Sequence, residues 1–210
     1  FLQVVWSAIE NACHDPLALA GRSVGVFGGT QVSEYQEVLE AHHERDAFRV
    51  TGNIDALLVS RISYLFDLRG PSEVVSTACS SALVAVHRAL CALRRNECEM
   101  AIVGAVSLML SPLGFVYPSQ MRILSPDGRC KTFDARANGY VKGEGAGALV
   151  LKPLSKALRD GDPIHAVLRG SAVNHGGRAT SLTAPNSASQ RDVILRALAD
   201  AGLGAGSVSY

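Results

Sequence analysis

Apolar residues follow helical spacing in some stretches of this chain and form short continuous runs in others. Residues 1–13 place apolar side chains on one helical face, and Pro16 ends that helix. Residues 100–108 are almost entirely apolar, which predicts a central strand buried on both faces. By the same criteria, helices are predicted at residues 1–13, 54–66, 80–95, 155–159 and 187–201, and strands at residues 23–27, 74–77, 100–108, 148–151 and 164–173.

Two of these helices carry a prediction about which side is buried. In residues 54–66, the predicted apolar side consists of Leu57, Leu58, Ile62 and Leu65. Residues 80–95 have almost no polar face in their first turns, which predicts a helix buried all round.

The alternation of strands and helices predicts an α/β fold with a largely parallel or mixed sheet. A length of 210 residues suits one domain, and a composition of 48% hydrophobic and 19% charged residues supports a packed core. The net charge of +1 gives no reason to expect binding to nucleic acid or to an anionic membrane. No apolar run is long enough to span a bilayer.

The remaining stretches are irregular or rich in glycine. Gly28-Gly29-Thr30 predicts a tight turn after the first strand, because the spacing of a phosphate-binding loop is absent. Residues 143–147 precede a strand rather than a helix, which favours close backbone packing over a phosphate cradle. Residues 111–143 are predicted to be irregular and to line a substrate channel or a subunit contact.

Cys79 lies where a strand is predicted to turn abruptly into a helix. The first amide N–H groups of a helix lack intrahelical partners and carry partial positive charge, so they stabilise a thiolate. The same amides can hold the oxyanion that forms when a thioester is attacked. Cys79 is therefore a candidate nucleophile, whereas the alternative is a cysteine that only packs.

The other cysteines and the histidines give no second catalytic group. The five cysteines show no metal-binding spacing, and reduced thiols in a cytoplasmic protein fit them best. His87 lies eight positions after Cys79 on the same predicted helix, about 12 Å along its axis, and cannot reach it. His175, in a predicted turn, is the weak remaining candidate for a base. The pair His42-His43 favours a solvated surface over a metal site.

Several motifs occur in the order typical of one family. They are STACSS at residues 76–81, VTGN at 50–53, SYLFDLRGP at 63–71, LSPDGRCKTFD at 124–134 and NGYVKGEGAG at 138–147. Together they resemble the β-ketoacyl synthase (ketosynthase) domains of modular polyketide synthases, in the thiolase superfamily. The resemblance extends over residues 1–210 and implies the thiolase-like fold, two α/β halves in αβαβα layers. This chain would cover the first half and the start of the second.

The resemblance also implies a reaction and partners. An acyl chain would pass from a phosphopantetheine thioester to Cys79, and a malonyl-type extender on an acyl carrier protein would then lose CO2 and attack it. No bound cofactor is expected. The expected partners are the acyl carrier protein, other polyketide synthase domains and a second copy in a homodimer, with no nucleic acid and no membrane.

The family's two histidines would come after residue 210. We therefore expect residues 1–210 to be a partial ketosynthase domain that does not condense substrates alone. Three alternatives stay open at this point. They are a domain that transfers acyl chains without elongating them, a fatty-acid 3-oxoacyl synthase or degradative thiolase, and, least favoured, a nucleotide-binding module suggested by the glycine-rich turns.

Overall fold

One mixed sheet forms the centre of the computed structural model, which describes residues 1–31, 33–42 and 47–209. Its strands are β1 (Val24–Gly29), β2 (Ser72–Val75), β3 (Met100–Ser107) and β4 (Gly145–Leu151). In the described residues the strand order is β2-β1-β3-β4, with β1 parallel to β2 and β3, and β4 antiparallel to β3. The prediction of a mixed α/β sheet is therefore confirmed.

The described part of the chain also contains eight α-helices. They are α1 (Leu2–Asn11), α2 (Tyr35–Ala41), α3 (Phe48–Asn53), α4 (Ala56–Leu65), α5 (Ser81–Arg94), α6 (Leu113–Gln120), α7 (Leu154–Asp160) and α8 (Ser187–Ala201). Short 3₁₀ turns lie at Pro16–Leu19, Ala78–Ser80 and Ala205–Ser207. None of the helices in the described ranges combines the length and apolar character needed to cross a membrane.

Two apolar clusters lie on opposite faces of the sheet. On one face, α1 and α4 cover alternate residues of β1 and β3, including Val26 and Ile102. On the other face, α5 packs with Ala85, Ala89 and Ala92 against the intervening residues of the same strands. Because successive strand side chains point to opposite faces, both central strands are buried on both sides.

The helices at the two ends of the chain match the sequence predictions closely. Val5 and Ile9 of α1 are fully buried, as the helical spacing of residues 1–13 indicated. Helix α8 has the predicted bounds, begins where the Asn186 side chain accepts two backbone N–H bonds, and ends at Gly202 with φ of 65°. Both boundaries follow from local chemistry, since asparagine caps helix starts and glycine tolerates the left-handed region.

The predicted turn at Gly28-Gly29 is wrong, because both glycines belong to β1. A Cβ on Gly28 would lie 2.5 Å from Cγ1 of Val59, and one on Gly29 would lie 2.8 Å from the backbone nitrogen of Ala82. The glycines therefore allow α4 and α5 to approach the sheet closely. The prediction of close backbone packing at residues 143–147 is wrong for Gly143, Gly145 and Gly147, where an added Cβ would meet nothing within 4 Å.

Two other predictions about irregular and extended segments are also wrong. Residues 164–173 form no strand, because no other segment in the described residues pairs with them. Residues 111–143 contain α6, although Pro118 lies inside it. Proline cannot donate to the carbonyl of Gly114 four residues earlier, but the Lys142 ammonium donates to that carbonyl instead, at 2.7 Å.

Burial differs from the predictions for α5 and α4. Helix α5 is not buried all round, since Leu83 is 76% exposed while the opposite face packs on the sheet. In α4, Val59 rather than Leu65 shares the buried face with Ile62. Strand β2 is an edge strand in which only Val75 is buried.

Candidate active site

Cys79 lies in the 3₁₀ turn Ala78–Ser80, between the end of β2 and the start of α5. Its side chain is exposed. Because β1, β2 and β3 are parallel, their carboxyl ends share one edge of the sheet, and α/β sheets bind ligands at that edge. The predicted position of Cys79 at a strand-to-helix junction is confirmed, whereas its catalytic role stays a prediction.

The hydroxyl groups of Ser80 and Ser81 fix the turn around Cys79. The Ser81 hydroxyl, on a residue only 5% exposed, accepts the Thr77 N–H at 2.9 Å and donates to the Ala78 carbonyl at 2.7 Å. The Ser80 hydroxyl donates to the Thr77 carbonyl at 2.8 Å. Ala78 has a φ of 54°, a conformation that non-glycine residues rarely adopt and that is concentrated at functional sites.

The junction rests directly on the end of β1. The Thr30 N–H donates to the Val75 carbonyl at 3.1 Å, which joins the ends of β1 and β2. Gly29 lies against the backbone of Ser81 and Ala82, where a Cβ would be 2.8–3.0 Å from backbone atoms. The end of β1 therefore packs directly against the start of α5, next to the turn that carries Cys79.

No described histidine hydrogen-bonds to Cys79. His87 contacts the Ser171 hydroxyl at 2.8 Å and the Cys91 sulfur at 3.6 Å, which agrees with the prediction that it cannot serve Cys79. His175, the weak candidate, accepts the Gly177 N–H at 2.9 Å. A base for Cys79 is therefore not provided by the histidines in the described ranges.

The other histidines have local partners. His14 lies 3.5 Å from the Asp162 carboxylate, and His165 lies 2.9 Å from the Asn11 side-chain oxygen. His42 is exposed and contacts the Val38 carbonyl, and His43 lies outside the described residues. Within the described chain, no group of three or more potential metal-ligating side chains comes together.

The five cysteines are all free thiols. Cys98 is buried, and burial raises the pKa of its thiol. Cys91 is half-buried, while Cys13 and Cys130 are exposed like Cys79. Exposure alone therefore does not single out Cys79; its place at the sheet edge does.

A group of polar contacts that sequence reasoning missed lies beyond the ends of β1 and β3. The Glu34 carboxylate accepts the N–H groups of Leu110 and Ser111, and Lys142 lies 3.9 Å from its other oxygen. These residues border a cavity of about 520 Å³ at the same edge. No local signal could reveal the group, because Glu34 and its partners are separated by more than 70 positions.

Comparison with models of protein families identifies the family to which this chain belongs. The model of the beta-ketoacyl synthase N-terminal domain matches residues 1–157, and that of the C-terminal domain matches residues 165–210. The chain belongs to the beta-ketoacyl synthase family. The resemblance seen in its motifs is thereby confirmed.

Similar proteins include large polyketide synthases. The chain is 50% identical over 210 residues to polyketide synthase ThaG of Burkholderia thailandensis, covering 4% of that protein. It is 49% identical over 210 residues to a phenolphthiocerol/phthiocerol polyketide synthase of Mycobacterium tuberculosis, covering 14% of it. The chain thus spans a small part of the curated relatives it matches.

Solved ketosynthases have the same fold. The whole chain superimposes on the ketosynthase from module 6 of the bacillaene synthase of Bacillus subtilis, with 40% identity and a TM-score of 0.91, covering 36% of that structure. The oxazolomycin ketosynthase domain OzmH KS7 of Streptomyces albus gives the same identity and TM-score, with 38% covered. The prediction of a thiolase-like α/β fold is therefore confirmed.

Proposed function

We propose that Cys79 is the nucleophile of a condensing ketosynthase that acts in polyketide biosynthesis. The observation that carries the proposal is the exposed Cys79 side chain, in a strained turn at the start of α5 and at the carboxyl edge of the sheet. The family relationship and the polyketide synthases among its relatives support the same chemistry.

Acyl loading would proceed through a covalent thioester. The Cys79 thiolate attacks the carbonyl carbon of an acyl thioester carried on the phosphopantetheine arm of an acyl carrier protein. A bond forms between the Cys79 sulfur and the acyl carbon, the bond to the carrier's sulfur breaks, and the carrier thiol leaves with a proton. The backbone amides where α5 begins are suited to stabilise both the thiolate and the oxyanion.

Condensation would form a carbon–carbon bond. A malonyl-type extender loses CO2, and the resulting carbanion attacks the Cys79 thioester, which releases the cysteine sulfur and gives a β-ketoacyl product. Since no described histidine lies at Cys79, we propose that condensation needs groups outside residues 1–210. Residues 1–210 alone would then be inactive in condensation.

The same proposal includes partners. An acyl carrier protein would deliver both substrates, and other polyketide synthase domains would process the product in the cytoplasm. We also propose a homodimer in the complete enzyme. The support is strand β2, whose outer edge pairs with no other strand in the described residues and which leads directly to Cys79. Unpaired strand edges are templates for pairing with another chain.

Acyl loading can be tested in a ketosynthase that carries this chain and has the length of the solved family members. It is incubated with a labelled acyl-phosphopantetheine thioester, and the gain in intact mass is located by peptide mass spectrometry. We expect the acyl group on Cys79, no gain in Cys79→Ala, and an unchanged gain in Cys130→Ala, which removes another exposed thiol. Acylation that survives in Cys79→Ala would overturn the proposal.

A second incubation with malonyl-loaded carrier protein separates condensation from simple transfer. Elongation of the loaded chain supports the condensing function. Loading followed by transfer without elongation would support the alternative of a non-elongating acyltransferase domain.

A further inference from the structure

The Glu34 side chain binds the backbone of the loop that follows β3. Glu34 lies just before α2, and its side chain is 13% exposed. Its Oε2 atom accepts the N–H groups of Leu110 at 2.8 Å and Ser111 at 2.9 Å. Hydrogen bonds to an ionised acceptor are about twice as strong as neutral ones, so this contact fixes the loop after β3.

A second carboxylate extends the same arrangement by one residue. The Glu144 Oε1 atom accepts the Met109 N–H at 2.6 Å. Three successive N–H groups, at positions 109–111, are therefore bound by two carboxylates from distant parts of the chain. Without them, these amides would have to be satisfied by water, and the loop would lose its fixed conformation.

The other oxygen of Glu34 faces a packed and charged environment. Lys142 lies 3.9 Å from Oε1, donates to the Gly114 carbonyl that Pro118 leaves free, and lies 5.3 Å from the centre of the Phe115 ring. Gly114 itself approaches so closely that a Cβ there would collide with Glu34 Oε1. The surrounding residues thus fix the position of the Glu34 carboxylate, and any side chain at residue 114 would displace it.

This arrangement lies at the same edge of the sheet as Cys79. The cavity of about 520 Å³ is lined by Thr30, Glu34, Tyr35, Met109, Leu110 and Lys142, among others. Thr30 also bonds to Val75 at the end of β2, four residues before Cys79. Met109 and Leu110, whose amides the carboxylates hold, therefore form a wall of a cavity at the edge of the sheet where Cys79 lies.

We propose that Glu34 is a positioning residue for the acyl-transfer reaction. It fixes the loop at residues 109–111 and thereby keeps the shape of the cavity at the sheet edge where Cys79 also lies, without contacting the reacting atoms. This inference rests on the proposed function of Cys79. It predicts that loss of the Glu34 acceptor weakens productive binding of the acyl donor while leaving the chemistry at Cys79 nearly unchanged.

The test compares Glu34→Ala, Glu34→Gln and Gly114→Ala in the ketosynthase that carries this chain. Glu34→Gln keeps an oxygen that can accept both N–H groups, whereas Gly114→Ala keeps the carboxylate but displaces it. Glu10→Ala, on the exposed side of α1, is the matched control. Hydrogen exchange of the Leu110 and Ser111 amides is measured together with KM and kcat for acylation.

In Glu34→Ala, we expect the two amides to exchange roughly tenfold faster or more, because an acceptor of both is lost. The KM for the acyl thioester is expected to rise roughly fivefold, with kcat within about twofold, as for a lost binding interaction. Gly114→Ala should reproduce both changes, whereas Glu34→Gln, which keeps an acceptor of weaker neutral hydrogen bonds, should change amide exchange and KM by less than Glu34→Ala does. The Glu10→Ala control should change neither.

Unchanged exchange and unchanged KM in Glu34→Ala would overturn the inference, and so would an equal loss in Glu34→Gln. A fall in kcat with constant KM would also contradict it, because Glu34 would then act on the chemical step. If Cys79 fails to load acyl groups in the unmodified enzyme, the proposed function fails. Hydrogen exchange then still decides whether Glu34 holds the loop.

Discussion

Single hydroxyl and carboxyl groups determine the local geometry of this molecule at several places. The Ser81 hydroxyl closes the turn around Cys79 by bonding at once to the Thr77 N–H and the Ala78 carbonyl. Asp127 plays a comparable part in the loop that follows α6, where it accepts bonds from Lys131 and Ser125. Such contacts span two to four residues, so they form as soon as the local chain adopts its turn.

The Asp127 contact predicts a measurable titration. Hydrogen bonds from the Lys131 ammonium, and next from Ser125, lower the pKa of the Asp127 carboxyl from 3.8 to about 2. Because the folded pKa lies below the unfolded value, the contact stabilises the folded state above a pH of about 4 and loses that effect as the pH falls toward 2. NMR titration of the Asp127 carboxyl should give a midpoint near 2.

Lys131→Met should move that midpoint up toward the ordinary aspartate pKa of 3.8. Lys156→Met, which removes an ammonium group that does not bond to Asp127, should leave it in place. A midpoint in Lys131→Met that stays near 2 would mean that Lys131 is not the main cause of the shift.

At the scale of elements, the close approach of α5 to β1 depends on Gly29. A Cβ at this position would meet the backbone of Ser81 and Ala82, which cannot rotate away as a side chain can. Gly29→Ala should therefore lower the free energy of unfolding by about 1–3 kcal/mol or more, the usual cost of overpacking. Urea unfolding followed by circular dichroism measures this change.

Gly145→Ala is the matched control, because Gly145 also lies in a strand but a Cβ there would meet nothing within 4 Å. Its free energy of unfolding should change by less than about 0.5 kcal/mol. Equal stability of the two variants would show that α5 and β1 are not in tight contact at Gly29.

The contrast between elements explains how much the sequence can predict. Helices α1 and α8 carry their own apolar spacing and end signals, so their bounds follow from local residues. Residues 164–173 have the composition of a strand, but a strand also needs a neighbour, and none pairs with them in the described residues. Helix α6 could not be predicted locally, because a lysine 24 positions after Pro118 supplies the bond that the proline cannot make.

The candidate site also has some features that the local sequence predicts and others that it does not. The position of Cys79 follows from a strand and a helix adjacent in sequence, together with small residues at their junction. The contacts of the loop at residues 109–111 could not be predicted, because Glu34 and Glu144 reach it from opposite directions along the chain. Only the folded sheet brings them together.

At the scale of the whole molecule, large apolar side chains are exposed on several elements. Tyr64 is 84% exposed and Leu83 is 76% exposed, on α4 and α5 respectively. Extensive apolar exposure is typical of surfaces that pack against other protein. Residues 1–210 expressed alone should therefore self-associate, with a weight-average mass in sedimentation velocity that rises with concentration. A concentration-independent monomer with one cooperative unfolding transition would contradict this prediction.

The order of the strands also affects how the chain folds as it is synthesised. β1 is the central parallel strand, yet Met100, the β3 partner of Val24, follows 76 positions later. At about 5–20 residues per second on a ribosome, β1 waits roughly 4–15 s for that partner. For most of this time β1, which becomes fully buried, lacks both the β3 strand and the α5 helix that cover it in the folded protein. Slow translation or limited chaperone capacity would therefore reduce the yield of folded protein, although neither changes the final contacts.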